Sequence, residues 1–145
     1  MIQSLLNRLL APAPERLPEP DARIALAALM VRVAKADGKY DAAETARIDK
    51  VLAEHHRLSP FQAAALRTEA EELEAAAPDT VRFTRALKAA TDPEDRAAMM
   101  QALWSVALAD GLRDSEEDAL LRLVSDLLGL RDVDSALARQ RAAKE

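Results

Sequence analysis

The sequence predicts an all-α fold: a single helical bundle of about seven core helices with an internal pseudo-two-fold helix-turn-helix repeat, preceded by one short extra helix. Three observations carry this expectation. The 145 residues include only three glycines and are rich in alanine, leucine, glutamate and arginine, a composition of helices rather than strands. Apolar residues recur at helical spacing along nearly every segment. One short pattern also occurs twice, as Asp37-Gly38-Lys39-Tyr40-Asp41-Ala42-Ala43-Glu44 and as Asp110-Gly111-Leu112-Arg113-Asp114-Ser115-Glu116-Glu117, each time after an apolar, alanine-rich run.

Taken in order, residues 1–10 place Ile2, Leu5, Leu6, Leu9 and Leu10 on one face of a short amphipathic helix. That face would dock on its own domain, on a partner chain or on a membrane surface. Its length and its single cation, Arg8, are too little to hold a membrane alone. Residues 11–20 contain four prolines and read as an extended linker. The domain is expected over 21–143. Its first helix, 21–36, carries Ile24, Leu26, Leu29, Met30, Val31 and Val33 nearly all round, so it is expected to be covered on several sides. The next, 41–57, turns Ile48, Val51 and Leu52 inward. His55 and His56 are adjacent, not four apart, and read as last-turn residues favoured by the helix dipole rather than as zinc ligands.

Ser59-Pro60 is an N-cap followed by an N1 proline, and it starts a helix with Phe61, Ala65, Leu66 and Leu73 inward. Its Glu69, Glu71, Glu72 and Glu74 are expected on a solvated face. Pro78 opens a helix to about residue 90, through Val81, Phe83 and Leu87. Asp92-Pro93-Glu94-Asp95 is the clearest helix start in the chain. That helix runs to 109 with Met99, Met100, Leu103, Trp104, Val106 and Leu108 as core. Helices over 114–128, capped by Gly129, and over 132–143 complete the chain.

Within the repeated stretch three of four fixed positions have a capping explanation. Glycine takes the left-handed conformation that ends a helix. Asp41 and Asp114 are N-caps, and Glu44 and Glu117, three residues on, are placed to complete a capping box. Asp37 and Asp110 are different, because each sits at the negative end of a helix, which costs roughly 0.3–1 kcal/mol. Paying that twice at matched positions asks for a compensating cation: a lysine, an arginine or a metal. The two copies lie 73 residues apart, and the match extends to Val33 with Val106, Ala34 with Ala107, Ala36 with Ala109, Ile48 with Leu121 and Val51 with Val124. A pseudo-two-fold arrangement would bring both acidic turns to one end of the bundle. Asp37, Asp41, Glu44, Asp110, Asp114 and Glu117 are then the candidate ligands for Ca²⁺ or Mg²⁺, hard cations that take oxygen donors. The loop is too short and wrongly spaced for an EF-hand.

Composition narrows the classes further. With no cysteine there is neither a disulfide nor a thiolate metal site. A net charge of −5 and few aromatics argue against nucleic acid as a partner. There is no apolar run of membrane-spanning length and no secretory-type N-terminus, so a cytoplasmic location is expected. No nucleophile–base pair or phosphate-cradling glycine loop stands out, and neither histidine has the Glu-x-x-His setting of di-metal bundles.

At this point the chain resembles the tellurite-resistance TerB family, which also includes the N-terminal domain of membrane-anchored J-domain co-chaperones. The resemblance covers about residues 20–140. It rests on Ala34-Lys35-Ala36-Asp37-Gly38 with Glu44, on Ala107-Leu108-Ala109-Asp110-Gly111 with Glu117, and on the Leu-Leu-Gly-Leu ending at Leu130. It implies about seven helices, an acidic site, divalent-metal binding by some members, and a non-enzymatic role in stress-response complexes at the inner face of the bacterial membrane. The expected function is a binding module with an acidic cation site and a protein partner, associated peripherally with membrane complexes or as a homodimer. The alternative is a metal-free interaction module working through the N-terminal helix or an acidic surface.

Overall fold

The computed structural model describes residues 2–11, 18–36, 38, 40–77, 79–89, 91–108 and 115–144, with the backbone alone at 19, 115 and 116. Among them the chain forms eight helices and no strand: α1 (Ile2–Leu9), α2 (Glu19–Ala34), α3 (Ala42–His56), α4 (Pro60–Ala76), α5 (Thr80–Ala89), α6 (Pro93–Leu108), α7 (Ser115–Leu127) and α8 (Asp132–Ala143).

Local chemistry sets most of the boundaries. Asp41 caps α3, its carboxylate accepting from the Glu44 N–H at 3.0 Å. Ser59 and Gln62 form a full capping box on α4, followed by Pro60 in the first turn. Helix α5 begins at Thr80 rather than at Pro78, which lies outside the described residues. The Asp79 carboxylate accepts from the Arg82 N–H at 3.0 Å and supplies the cap. Helix α2 starts at Glu19, two residues before the expected position, with Pro20 tolerated in its first turn. Gly38 breaks the chain after α2 with φ +80°, as expected, while Gly111 lies outside the described residues. After α7, Gly129 takes φ +79° and the Leu130 N–H donates to the Ser125 carbonyl at 3.0 Å, a Schellman-type ending. Helix α3 ends the same way, Leu58 N–H to Ala53 carbonyl at 2.9 Å, but with Arg57 at φ 56° in the left-handed place.

Helices α2 and α6 are the centre of the molecule. Every residue from Ala25 to Val31 and from Ala102 to Ala107 is buried. A helix apolar on all sides needs several neighbours, and the packing repeats between the halves. The two central helices touch each other. Helix α4 lies along α2 as α8 lies along α6, and α3 packs on α6 as α7 packs on α2. The repeat is thus a triplet of helices rather than a pair, because one flanking helix leaves a central helix partly bare.

Two readings of α4 are corrected. Phe61 is 83% exposed and Ala65 is exposed, not inward. The buried line of α4 is Ala63, Ala70 and Leu73, and positions two residues from Ala63 lie about 200° away around the helix. The small alanines let α4 approach α2. The glutamate row is also not uniformly solvated: Glu69 and Glu72 are exposed, but Glu71 and Glu74 turn toward cations of α2 and α4 itself. Helix α1 docks on its own domain against α4 and α5, with Leu5, Leu6 and Leu9 buried and Arg8 paired to Asp21 at 2.8 Å. Its leucine face is therefore used internally.

Candidate functional site: an acidic recess at one end of the bundle

The repeat places two helix ends and two helix starts at one pole. Helices α2 and α6 finish there, and α3 and α7 begin there. Glu44, in the first turn of α3, and Glu117, in the first turn of α7, line the same small recess, floored by Ala34 and Val106 and completed by Arg47. The recess holds about 10 Å³, room for one water-sized object. Glu44 is only 9% exposed, so its side chain points into the bundle rather than lying along the surface turn. The N-cap role falls to Asp41, which remains exposed at the rim. Of the six expected site residues, the structure brings Glu44 and Glu117 together and places Asp41 beside them in sequence as the cap. Asp37, Asp110 and Asp114 lie outside the described residues.

The residues flanking the first acidic turn are bound to α4 on both sides. Before the turn, Lys35 Nζ donates to Glu74 at 2.9 Å, and Arg32 Nε reaches the same carboxylate at 3.3 Å while its Nη2 donates to the Glu74 carbonyl at 3.2 Å. After the turn, the Tyr40 hydroxyl donates to Glu71 at 2.7 Å. Arg67 then joins Glu71 at 3.1 Å to Asp49 of α3 at 2.6 Å. Burial pushes the Tyr40 phenol well above its ordinary value, and the hydrogen bond and charge of Glu71 push the same way. The hydrogen bond that Arg67 donates to the Asp49 carboxylate holds its guanidinium more firmly protonated. Lys35 also sits 5.3 Å from the Tyr40 ring. These contacts tie Lys35 and Tyr40, the described residues on either side of the turn, to α4.

The sequence model of the family described as tellurite resistance protein TerB matches residues 23–140. The chain belongs to the TerB family. No curated protein and no solved structure gives a match. Helix α1 precedes the TerB-matched stretch, while the recess and both copies of the acidic motif fall inside it. No helix among the described residues is long and apolar enough to cross a membrane. Among the described residues no group of three or more histidine, cysteine, aspartate or glutamate side chains is set as a metal site, and the described charged groups at the recess are two carboxylates and one guanidinium.

Arg47 was not among the residues singled out by sequence. A signal for it exists: it stands three residues after Glu44, on the same helical face. The corresponding position of the second copy is Leu120, so the repeat departs from symmetry at this point. Glu71 and Glu74 gave no local signal, because their role depends on which way α4 faces.

Proposed function

We propose that this chain is a non-catalytic TerB-like binding module whose acidic pole takes up a divalent cation, Ca²⁺ or Mg²⁺, in the service of stress response or complex assembly. The observation behind this is the meeting of Glu44 and Glu117, repeat-equivalent carboxylates, at one water-sized recess. Two carboxylates brought together repel, by on the order of 4 kcal/mol at 4 Å with an effective dielectric near 20. A cation between them turns that cost into an attraction. Ca²⁺ takes about six to eight oxygens, so the two glutamates would supply only part of the shell. The aspartates of the two turns, Asp37, Asp41, Asp110 and Asp114, are the remaining donors in this reading, with turn carbonyls and water.

One observation favours a second reading. Arg47 lines the same recess, and a guanidinium there offsets both glutamates without any metal. The module would then act purely through protein contacts. Thermal melting with and without millimolar CaCl₂ or MgCl₂ separates the two. Saturation at a hundredfold excess over Kd stabilises by about 2.7 kcal/mol, or about 5–11 °C for a domain of this size. The cation reading expects that rise in the wild type and its loss in Glu117→Gln and Asp110→Asn. An unchanged melting temperature, together with a marked drop in Arg47→Gln, refutes it in favour of the internal counter-ion.

A further inference from the structure

The pseudo-symmetry is broken at one place that matters for partners. In the second half of the molecule the groove between α7 and α2 is filled by α5. That helix packs on α7, its Phe83 ring lies 5.7 Å from the Arg32 guanidinium of α2, and its Lys88 side chain lies against Gly129 at the end of α7. The matching groove in the first half, between α3 and α6, has no such helix among the described residues. The counterpart of Arg32 is Ser105, and Arg57 holds at the end of α3 the left-handed place that Gly129 holds at the end of α7. Both Ser105 and Arg57 line an open hollow of about 450 Å³ with Val51, Glu54, His55 and Ala98. It continues into a second hollow of about 340 Å³ bordered by Arg47, Lys50 and the end of α8. The two halves differ at one pair of matched alanines: Ala25 is fully buried, whereas Ala98 is exposed.

The sequence of α3 has diverged accordingly. Its groove-facing positions Arg47, Lys50 and Glu54 correspond to Leu120, Leu123 and Leu127 of α7. In the second half Leu120 and Leu127 are half-buried while Leu123 stays exposed; in the open groove of the first half the same positions are charged, two positive and one negative. Arg57 adds a further cation at the mouth. Its left-handed place is taken by glycine in the second half, the residue with the least steric cost there. On a chain of net charge −5, this is a local cationic rim over a floor of Val51, Ala98 and Ala102.

We propose that the α3–α6 groove is a seat for an acidic amphipathic helix of a partner protein, the intermolecular counterpart of α5. The small floor admits a helix closely, as helix-in-groove recognition requires. The exposed cations Lys50 and Arg57 select glutamates on the helix flanks and repel basic helices. This reading deepens the binding-module assignment and is separable from the cation site, since the groove and the acidic recess share only Arg47.

The test is fluorescence anisotropy of the full chain with a labelled fourteen-residue helical peptide of alanine, leucine and glutamate, its glutamates flanking one leucine face. A scrambled peptide of the same composition and a lysine-for-glutamate version serve as controls. Saturable binding is expected for the first peptide, at least tenfold weaker for both controls. Ala98→Trp, which fills the groove, and Lys50→Glu with Arg57→Gly should each weaken binding at least tenfold, with helicity unchanged. Arg57→Gly relaxes a left-handed arginine, so lost binding in that variant does not come from unfolding. Equal binding of the scrambled peptide, or binding indifferent to Ala98→Trp, would overturn the proposal. So would absence of saturable binding, or a concentration-dependent dimer that Ala98→Trp abolishes, which would assign the groove to a second copy. The divalent-ion melts address the recess alone and can fail without touching this result.

Discussion

Replacing Glu74 by glutamine keeps the side chain's shape and removes its charge at a point that sequence alone reads as solvent. In the structure the Glu74 side chain is 11% exposed and serves two cations, Arg32 at 3.3 Å and Lys35 at 2.9 Å. Arg32 is itself 15% exposed, whereas Lys35 is 40% exposed. Hydrogen bonds to charged groups contribute about 1.5–3 kcal/mol when shielded from water, but exposed pairs only about 0–1 kcal/mol. The Arg32 contact therefore dominates, and the glutamine oxygen retains part of it. A net loss of about 2 kcal/mol follows, or about 4–8 °C in melting temperature for a chain of this length. The assay is thermal and urea unfolding of Glu74→Gln beside Glu72→Gln, an exposed neighbour expected to stay within about 0.5 kcal/mol of wild type. A cycle with Arg32→Gln should show coupling above about 0.5 kcal/mol. High salt should reduce the Lys35 share most, since exposed pairs are screened more than shielded ones. If Glu74→Gln melts with Glu72→Gln and the cycle shows no coupling, the Glu74 pairs with Arg32 and Lys35 do not tie the end of α2 to α4.

Three further outcomes are expected. The chain's single tyrosine should ionise only above the ordinary phenol value of 10.0, read by ultraviolet difference titration. Because the folded value is raised, Tyr40 contributes stability fully below pH 10 and loses it as pH rises through the higher folded value; Tyr40→Phe should remove this dependence and cost about 1 kcal/mol from the lost hydrogen bond. Gly129→Ala should destabilise by about 1–3 kcal/mol, because φ is +79° and the added Cβ would stand 3.0 Å from Lys88 Cε; Lys88→Ala in the same background should recover the steric share but not the backbone share. Leu9→Ala should detach α1 while the rest stays folded, since truncating a buried leucine costs about 2–5 kcal/mol and an eight-residue helix has little stability of its own. Hydrogen exchange should then rise over α1 and not over α2 or α6.

The sequence by itself determined the helical class, the order of the helices and most of their ends. It did so because those features are local: Asp41, Ser59 and Asp92 mark helix starts, and Gly38 and Gly129 mark ends, through bonds that span a few residues. It also showed the repeat, and with it the expectation that Glu44 and Glu117 approach each other, because equal patterns pack in equal ways. Only the tertiary structure decided what surrounds them. Arg47 enters the recess and Leu120 is its counterpart, a difference whose meaning depends on which helix faces which. Glu71 and Glu74 were indistinguishable from Glu69 and Glu72 until α4 was set against α2 by its alanine line. Phe61 looked like core by its chemistry and is exposed by its angle around the helix. The open α3–α6 groove was invisible in the same way: whether a face is covered depends on where distant helices such as α5 come to rest, and no spacing within α3 encodes that.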